Sequence, residues 1–516
     1  MSKRLILVLA LALVVGLSFT AYAEVQNVKV SGDLTVQGVA RDNFDLEKPI
    51  SSALGLLAGD FNDKESGILS ITRVRVDADL TDNVSTTVRL LNERNWNGEE
   101  RTLGAANRNI GLNTAPASNA DANDVDLDLA YVTLKEFLYS PLSLTIGRQS
   151  LRFGNGLVVG DPDTNIYSSA TELAEGDLSA RKSFDALRAT LDYNPLVVDM
   201  IYAKVEEGAA NLNDDVSLGG INANYALNKN TTVEGFLFSK VTGTNSAAVT
   251  NVDSGNATFF TAGTDNFPLK DKADVVNTIG ARVLDKTVKN LTLDVQGAYQ
   301  FGTYNPKFDP NARVSPAAQR GPNAKAQTSK RSAWATQIMA TYDLKDMAML
   351  SKYSPAISGS YTYLSGANRD ETRSGEAYKG WDPMFEDQTV GHIMNAIFAE
   401  SNMHRGSLSA NAKLTDDISA NVNYIGAWFA KRYPRNADRR AILSEVSTAR
   451  QFTLKGDKFI GQEIDASLTY DYTEDVQFSL LGGIFLPGRN IVSVARADRD
   501  GQAAATELIG SMKVTF

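Results

Sequence analysis

No cysteine occurs among the 516 residues, histidine appears only twice, and past the N-terminus there is no apolar run long enough for a membrane helix. Without cysteine the chain has no disulfide framework, no thiolate metal site and no haem-attachment motif. The two histidines, His392 and His404, have no cysteine partners, so the pattern gives a zinc site no support. No glycine-rich phosphate loop leads from a strand into a helix. The 61 acidic residues outnumber the 51 basic ones, a net charge of −10 that disfavours nucleic acid as a partner. Ser401 near His404 is the one cheap nucleophile-and-base match, and chance adjacency explains it better. The chain therefore reads as no enzyme, with no metal and no cofactor.

The first 23 residues read as a processing signal. Lys3 and Arg4 precede an apolar core from Leu5 to Phe19, and Ala21-Tyr22-Ala23 offers small residues where signal peptidase needs them. Cleavage is expected before Glu24, leaving residues 24–516 as a single barrel domain. Loss of Lys3 and Arg4 takes the net charge from −10 to −12.

What the chain has is a period of two. Ile464, Ala466, Leu468, Tyr470 and Tyr472 alternate with Glu463, Asp465, Ser467, Thr469 and Asp471. The split recurs in Leu291 to Tyr299, in Trp334 to Tyr342, and in Leu508, Gly510, Met512, Val514 and Phe516 at the end of the chain. Tyrosines at the ends of an apolar face suit a lipid surface bounded by headgroups. Short turns are expected near residues 81–83, 136–141, 194–195, 228–230, 285–290, 345–355, 415–417 and 473–475. Long connections alternate with them, among them 41–67, 96–123, 151–182, 242–273, 303–330, 367–404 and 430–460. Such alternation predicts an all-β, antiparallel transmembrane barrel of about 18 strands, with short periplasmic turns and long extracellular loops. In the strand around Val233, Phe236, Leu237 and Phe238 apolar residues fall on both faces. A large soluble β-solenoid or sandwich is the competing fold, and the turn asymmetry argues against it.

The run from Leu144 to Asp161 closes a strand with Gly147-Arg148-Gln149 and continues through Phe153-Gly154-Asn155-Gly156-Leu157. Together with Gly380-Trp381-Asp382-Pro383-Met384-Phe385-Glu386 and the strand from Gly461 to Tyr470, it resembles the alginate-export family of outer-membrane barrels. The resemblance implies a monomeric 18-stranded barrel, with export of an anionic polysaccharide through an arginine-rich lumen in its named member. It also implies a pore-side role for Arg148. A terminal aromatic, Phe516, resembles the signal read by the barrel-assembly machinery.

Parity opposite the lipid face selects Arg73, Arg75, Arg89, Arg188 and Arg282 as lumenal, joined by Asp124, Asp126, Asp128, Glu463 and Asp465. Arginine forks pair bidentately with carboxylates or phosphates, so Arg73, Arg75 and Arg89 could form a ladder for an anionic solute. The alternative is that they neutralise wall carboxylates, and the mixed signs depart from a strongly basic lumen. Long loops suit constrictions, and Val390 to Glu400 reads either as a short plugging helix or as an extra strand. Asp161 and Asp163, with Asn165, could hold a hard cation, although Asx turns explain them better. The expected function is passive diffusion of hydrophilic solutes, including anionic saccharides, through the bacterial outer membrane. Export of one anionic polysaccharide, or a barrel sheathing a partner such as an electron carrier, are the alternatives. Expected partners are outer-membrane lipids and lipopolysaccharide, the assembly machinery and the solute, with a monomer favoured over a trimer.

Overall fold

A computed structural model describes residues 27–44, 46, 64–96, 125–163, 176–207, 215–243, 273–305, 328–347, 350–367, 376–432, 452–454, 457–489, 491–493 and 503–516. The segment assigned to the signal, together with Asp124, Asn165 and most of the long loops, lies outside the described residues.

Eighteen antiparallel strands form one sheet in which every strand pairs with its sequence neighbours. They begin with β1 (Asn27–Asp42), β2 (Lys64–Thr81), β3 (Val84–Asn95), β4 (Asp126–Leu134), β5 (Leu142–Ser150) and β6 (Ser183–Asp192). The middle of the wall is β7 (Leu196–Glu206), β8 (Val216–Ala226), β9 (Thr231–Thr242), β10 (Asp274–Asp285), β11 (Leu291–Tyr304) and β12 (Ser329–Asp343). It is completed by β13 (Ala356–Leu364), β14 (Met403–Lys413), β15 (Ile418–Phe429), β16 (Phe459–Asp471), β17 (Val476–Pro487) and β18 (Ala505–Thr515). The first and last strands pair from Asp33 with Thr515 to Asp42 with Thr506, which closes the barrel and leaves no free edge. A separate ladder joins Phe452–Leu454 to Ile491–Ser493. All eight expected short turns fall between strands, and the long connections alternate with them.

Closure matters because a backbone in lipid has no water to satisfy its N–H and C=O groups. Seating of the last residue completes it. Phe516 exchanges backbone hydrogen bonds with Gly32 at 2.8 and 3.0 Å. Its ring lies where a Cβ on Gly32 would be, 2.5 Å from Cζ.

The outer face carries the apolar half of the alternation. Val74, Val88, Ile146, Leu187, Leu237, Val295, Ile338, Leu408, Ile464, Leu468, Leu480 and Leu508 are exposed there. Aromatics gather toward the ends of this belt. At the loop end Tyr299 packs at a tilt against Trp334, 4.4 Å between ring centres, and His404 lies over Trp428 at 5.7 Å. His404 therefore sits on the outer wall beside Tyr361, while Ser401 donates its hydroxyl to the Trp381 carbonyl at 2.6 Å. Nothing in that arrangement pairs the two as nucleophile and base.

Candidate functional site: the lumen and its infolded segments

Among the described residues, two connections turn inward and pack on each other. Residues 151–163, after β5, and residues 376–402, after β13, meet along backbone hydrogen bonds from Gly160 and Asp161 to the Phe385 carbonyl at 2.7 and 3.0 Å. Phe385 N–H returns one to Val158 at 3.1 Å. Their apolar side chains, Leu151, Phe153, Leu157, Val158, Val159, Trp381, Met384 and Phe385, bury against Phe184, Ile201, Leu218, Phe236, Phe238, Val276 and Ala333 of the inner wall. This resolves the double apolar pattern of β9. Leu237 faces out, whereas Phe236 and Phe238 face in and are covered by Phe153, whose ring is 5.3 Å from Phe238.

The second segment does form a helix, α1 (His392–Ile397), and no side chain of its own caps its start. A carboxylate from the wall does so instead. Glu463 accepts the N–H groups of Ile393 and Met394 at 2.9 and 2.7 Å, satisfying donors that a helix start leaves orphaned. Ile393, Met394, Ile397 and Phe398 then pack on Ile425, Phe429, Phe485, Phe44 and Leu46.

Polar contacts staple the two segments to each other and to the wall. Lys182 pairs with Asp161 at 3.1 Å and also with Asp387. Arg152 reaches the Asp387 carboxylate at 3.5 Å and its carbonyl at 3.1 Å. Lys240 holds Asp382 at 2.5 Å, and Gln300 both donates to and accepts from the Asp382 backbone at 2.7 and 2.8 Å. Burial pushes the Glu386 carboxyl up to about 7 although Arg405 opposes the shift. Burial likewise raises Asp161 against the pull of Lys182. At Lys182 burial works to lower the pKa, but Asp161 and Asp387 outweigh it and hold the ammonium above its ordinary value. Asp382 is kept below the usual range because Lys240 and Arg331 together overcome its burial.

Each arginine expected in the lumen by parity faces inward and is held by a carboxylate. Arg73 binds Asp33 at 2.9 Å, Arg75 binds Asp77 at 2.7 Å, and Arg89 binds Asp128 at 2.5 Å. Arg188 binds Asp199 at 2.8 Å, and Arg282 grips Asp294 with two nitrogens at 2.7 Å while reaching Glu234 at 3.3 Å. The expected arginine ladder is thus a set of wall ion pairs. Glu463 and Asp465 face inward side by side and are buried. Asp126 sits exposed at the loop end of β4, opposite Leu91.

Arg148 is a correction. It shares the parity of exposed Ile146, pairs across the ladder with Asp185 at 3.1 Å, and so lies on the outer wall rather than in the pore. Its neighbour explains why the motif misled. Gly147 has φ +122°, and Gln149 turns inward over it to donate to three backbone carbonyls at 3.0 to 3.3 Å. Glycine and glutamine shape the strand end there. Asp161 and Asp163 form an Asx turn, with Asp163 N–H on Asp161 at 2.9 Å, and their carboxylates are taken by Lys182 and Arg181. Those ion pairs leave the cation reading without support.

Residues that pattern reading missed include Arg331 with Asp274 at 2.6 Å, and Arg41 bridging Glu507 and Asp177 at 2.6 Å each. Their inward parity was legible, but their partners come from strands and loops distant in sequence.

A family model described as alginate export matches residues 57–502. Among solved structures, Pseudomonas aeruginosa OccK5 (OpdH) is similar at 10% identity over 95% of this chain and 99% of its own, with a TM-score of 0.49. Acinetobacter baumannii OccAB1 is similar at 10% identity over 96% of this chain and 100% of its own, TM-score 0.49. Pseudomonas aeruginosa OccK8 (OprE) follows at 11% identity, 95% and 99% coverage and TM-score 0.47. No curated protein matches the sequence.

Proposed function

Because this chain belongs to the alginate-export family, we propose that it is an outer-membrane channel that passes hydrophilic solutes by diffusion. The observation that carries the reading is the division of the barrel wall. Its outside is apolar, and its inside is lined by ion pairs such as Arg73 with Asp33, Arg75 with Asp77 and Arg188 with Asp199. A wall of paired charges is hydrated yet carries little net field, so it favours passage of polar solutes with weak ion selectivity. The infolded segments limit solute size where they narrow the lumen.

A second reading, passage of acidic saccharides, draws support from Arg152, which keeps about half of its side chain exposed (47%) beside the infolded segments. A sheath around a partner protein fits less well, because the chain's own residues 151–163 and 376–402 already occupy lumenal space.

Single-channel recording in a planar bilayer under a salt gradient, followed by addition of oligouronates, tests the proposal. A stable, weakly selective conductance indifferent to oligouronates is the expected result. Anion preference with oligouronate block would move the assignment to acidic saccharides, and a barrel that carries no current would overturn the channel reading.

A further inference from the structure

Glu463 and Asp465 are adjacent inward positions on β16, and their carboxyl groups interact with each other. Glu463 is 0% exposed and Asp465 4%. Among the described residues no lysine or arginine pairs with either. Both Glu463 oxygens are occupied by N–H groups of α1. Neither Asp465 oxygen receives a hydrogen bond of ordinary geometry, although the His392 backbone N–H lies close by. Each carboxyl fills space that only glycine leaves open. A Cβ on Gly391 would stand 2.7 Å from Glu463, and one on Gly483 would stand 2.8 Å from the Asp465 Oδ1.

Two carboxylates buried together without a cation repel each other, and the arrangement is stable only while a proton is shared between them. The surroundings supply little other charge. On α1 the titratable group is His392, and the inner face of β17 presents Gln477, Ser479, Leu481, Gly483 and Phe485. From β18 comes Glu507, neutralised by Arg41 at 2.6 Å, which also holds Asp177; Lys513 lies at the far, turn end of the same strand. From β15 Asn423 donates to the Val390 carbonyl at 2.6 Å, and on β14 Arg405 is taken by Glu400.

We propose that Glu463 and Asp465 form a proton-operated latch that holds α1 against the inner wall at acidic pH and lets it lift into the lumen as pH rises. The inference rests on the channel reading above. Its sign follows from the pair: the docked state is the one that needs the shared proton, so docking is complete at low pH and is lost as the proton leaves. Lifting of α1 relieves the repulsion by admitting water and cations to the carboxylates.

The test is channel current between about pH 5 and pH 9. It is recorded in a Glu386→Gln background, so that this separate carboxyl does not contribute. The expected result is a severalfold change in current with pH that Asp465→Asn abolishes, because a neutral amide leaves Glu463 as the only charge beneath the helix. A second variant pins the helix. The chain has no cysteine of its own, so Phe398→Cys with Phe485→Cys, whose rings are 5.5 Å apart, tethers α1 to β17. Oxidation should remove the pH response and a reductant should restore it, with heat-modifiable gel mobility confirming that each variant is folded. A pH response that survives Asp465→Asn or the tether overturns the latch. So does a current that is constant across the range, which leaves the channel reading intact. Absence of current at every pH, in the reduced double variant as well, overturns the channel reading and the latch with it.

Discussion

Arg331 lies against the stacked rings of Tyr304 and Tyr378, with its guanidinium 2.6 Å from Asp274 and both charges buried. A buried pair contributes little net stability against an apolar substitute, but removing one partner strands the other. Arg331→Ala should therefore cost about 3–5 kcal/mol, read as a lowered urea midpoint for unfolding from lipid vesicles. Arg331→Met combined with Asp274→Asn should recover most of it. Gly147 makes the complementary case for backbone. At φ +122° an added Cβ would collide with the Ala130 carbonyl oxygen, so Gly147→Ala should reduce the yield of heat-modifiable folded barrel, whereas Arg148→Ala on the outer wall should leave yield and conductance close to wild type. Residue type announced both positions. The glycine's conformational role became visible only with its φ of +122°, and Arg148 was misassigned because a motif names residues without saying which face of the sheet they take.

The infolded segments behave as elements fixed by a few shared charges. Asp387 serves Lys182 and Arg152 together, and its removal takes one negative charge from beside the narrowed lumen, leaving Arg152 without that carboxylate and Lys182 with Asp161. Asp387→Ala should shift the reversal potential in a salt gradient toward anion preference, an effect that fades as salt rises because screening shortens the reach of exposed charges to about 10 Å at 0.1 M. Glu386, raised to about 7 by burial, adds a pH term. It is neutral below that value and charged above, so anion preference should increase as pH falls through neutrality and lose this component in Glu386→Gln. The sequence marked these segments by length and by their glycine and tryptophan motifs. It left the helix and strand readings of residues 390–400 equal, because apolar spacing in so short a run fits either. The wall decided it: Glu463 supplies the missing cap, and a shelf of Ile425, Phe429 and Phe485 receives the apolar face of α1.

For the whole molecule the controlling fact is that neighbouring residues face different solvents. Leu468 is exposed on the outer belt while Thr469 faces the lumen. Leu468→Lys should cost up to about 2–4 kcal/mol in reversible unfolding from lipid vesicles, and Thr469→Lys should change stability far less while altering selectivity. Equal costs at the two positions would contradict the assignment of faces.

A side-chain period of two, punctuated by alternating short and long connections, determined strand positions, the approximate strand number and, outside β9, the sense of the faces, because those depend on local pleat and on which solvent each side meets. Local pattern also placed Arg73, Arg75, Arg89, Arg188 and Arg282 inside. What those arginines do was a tertiary matter. Apart from Asp77, two residues along β2 from Arg75, their partners come from neighbouring strands, as Arg282 shows by joining Asp294 and Glu234, and ion pairing converts an apparent basic ladder into a nearly neutral wall. The inward turn of residues 151–163 and 376–402 belongs to the same class. It depends on Phe236, Phe238 and other apolar residues of the inner wall that need cover, a requirement that exists only once the barrel has closed.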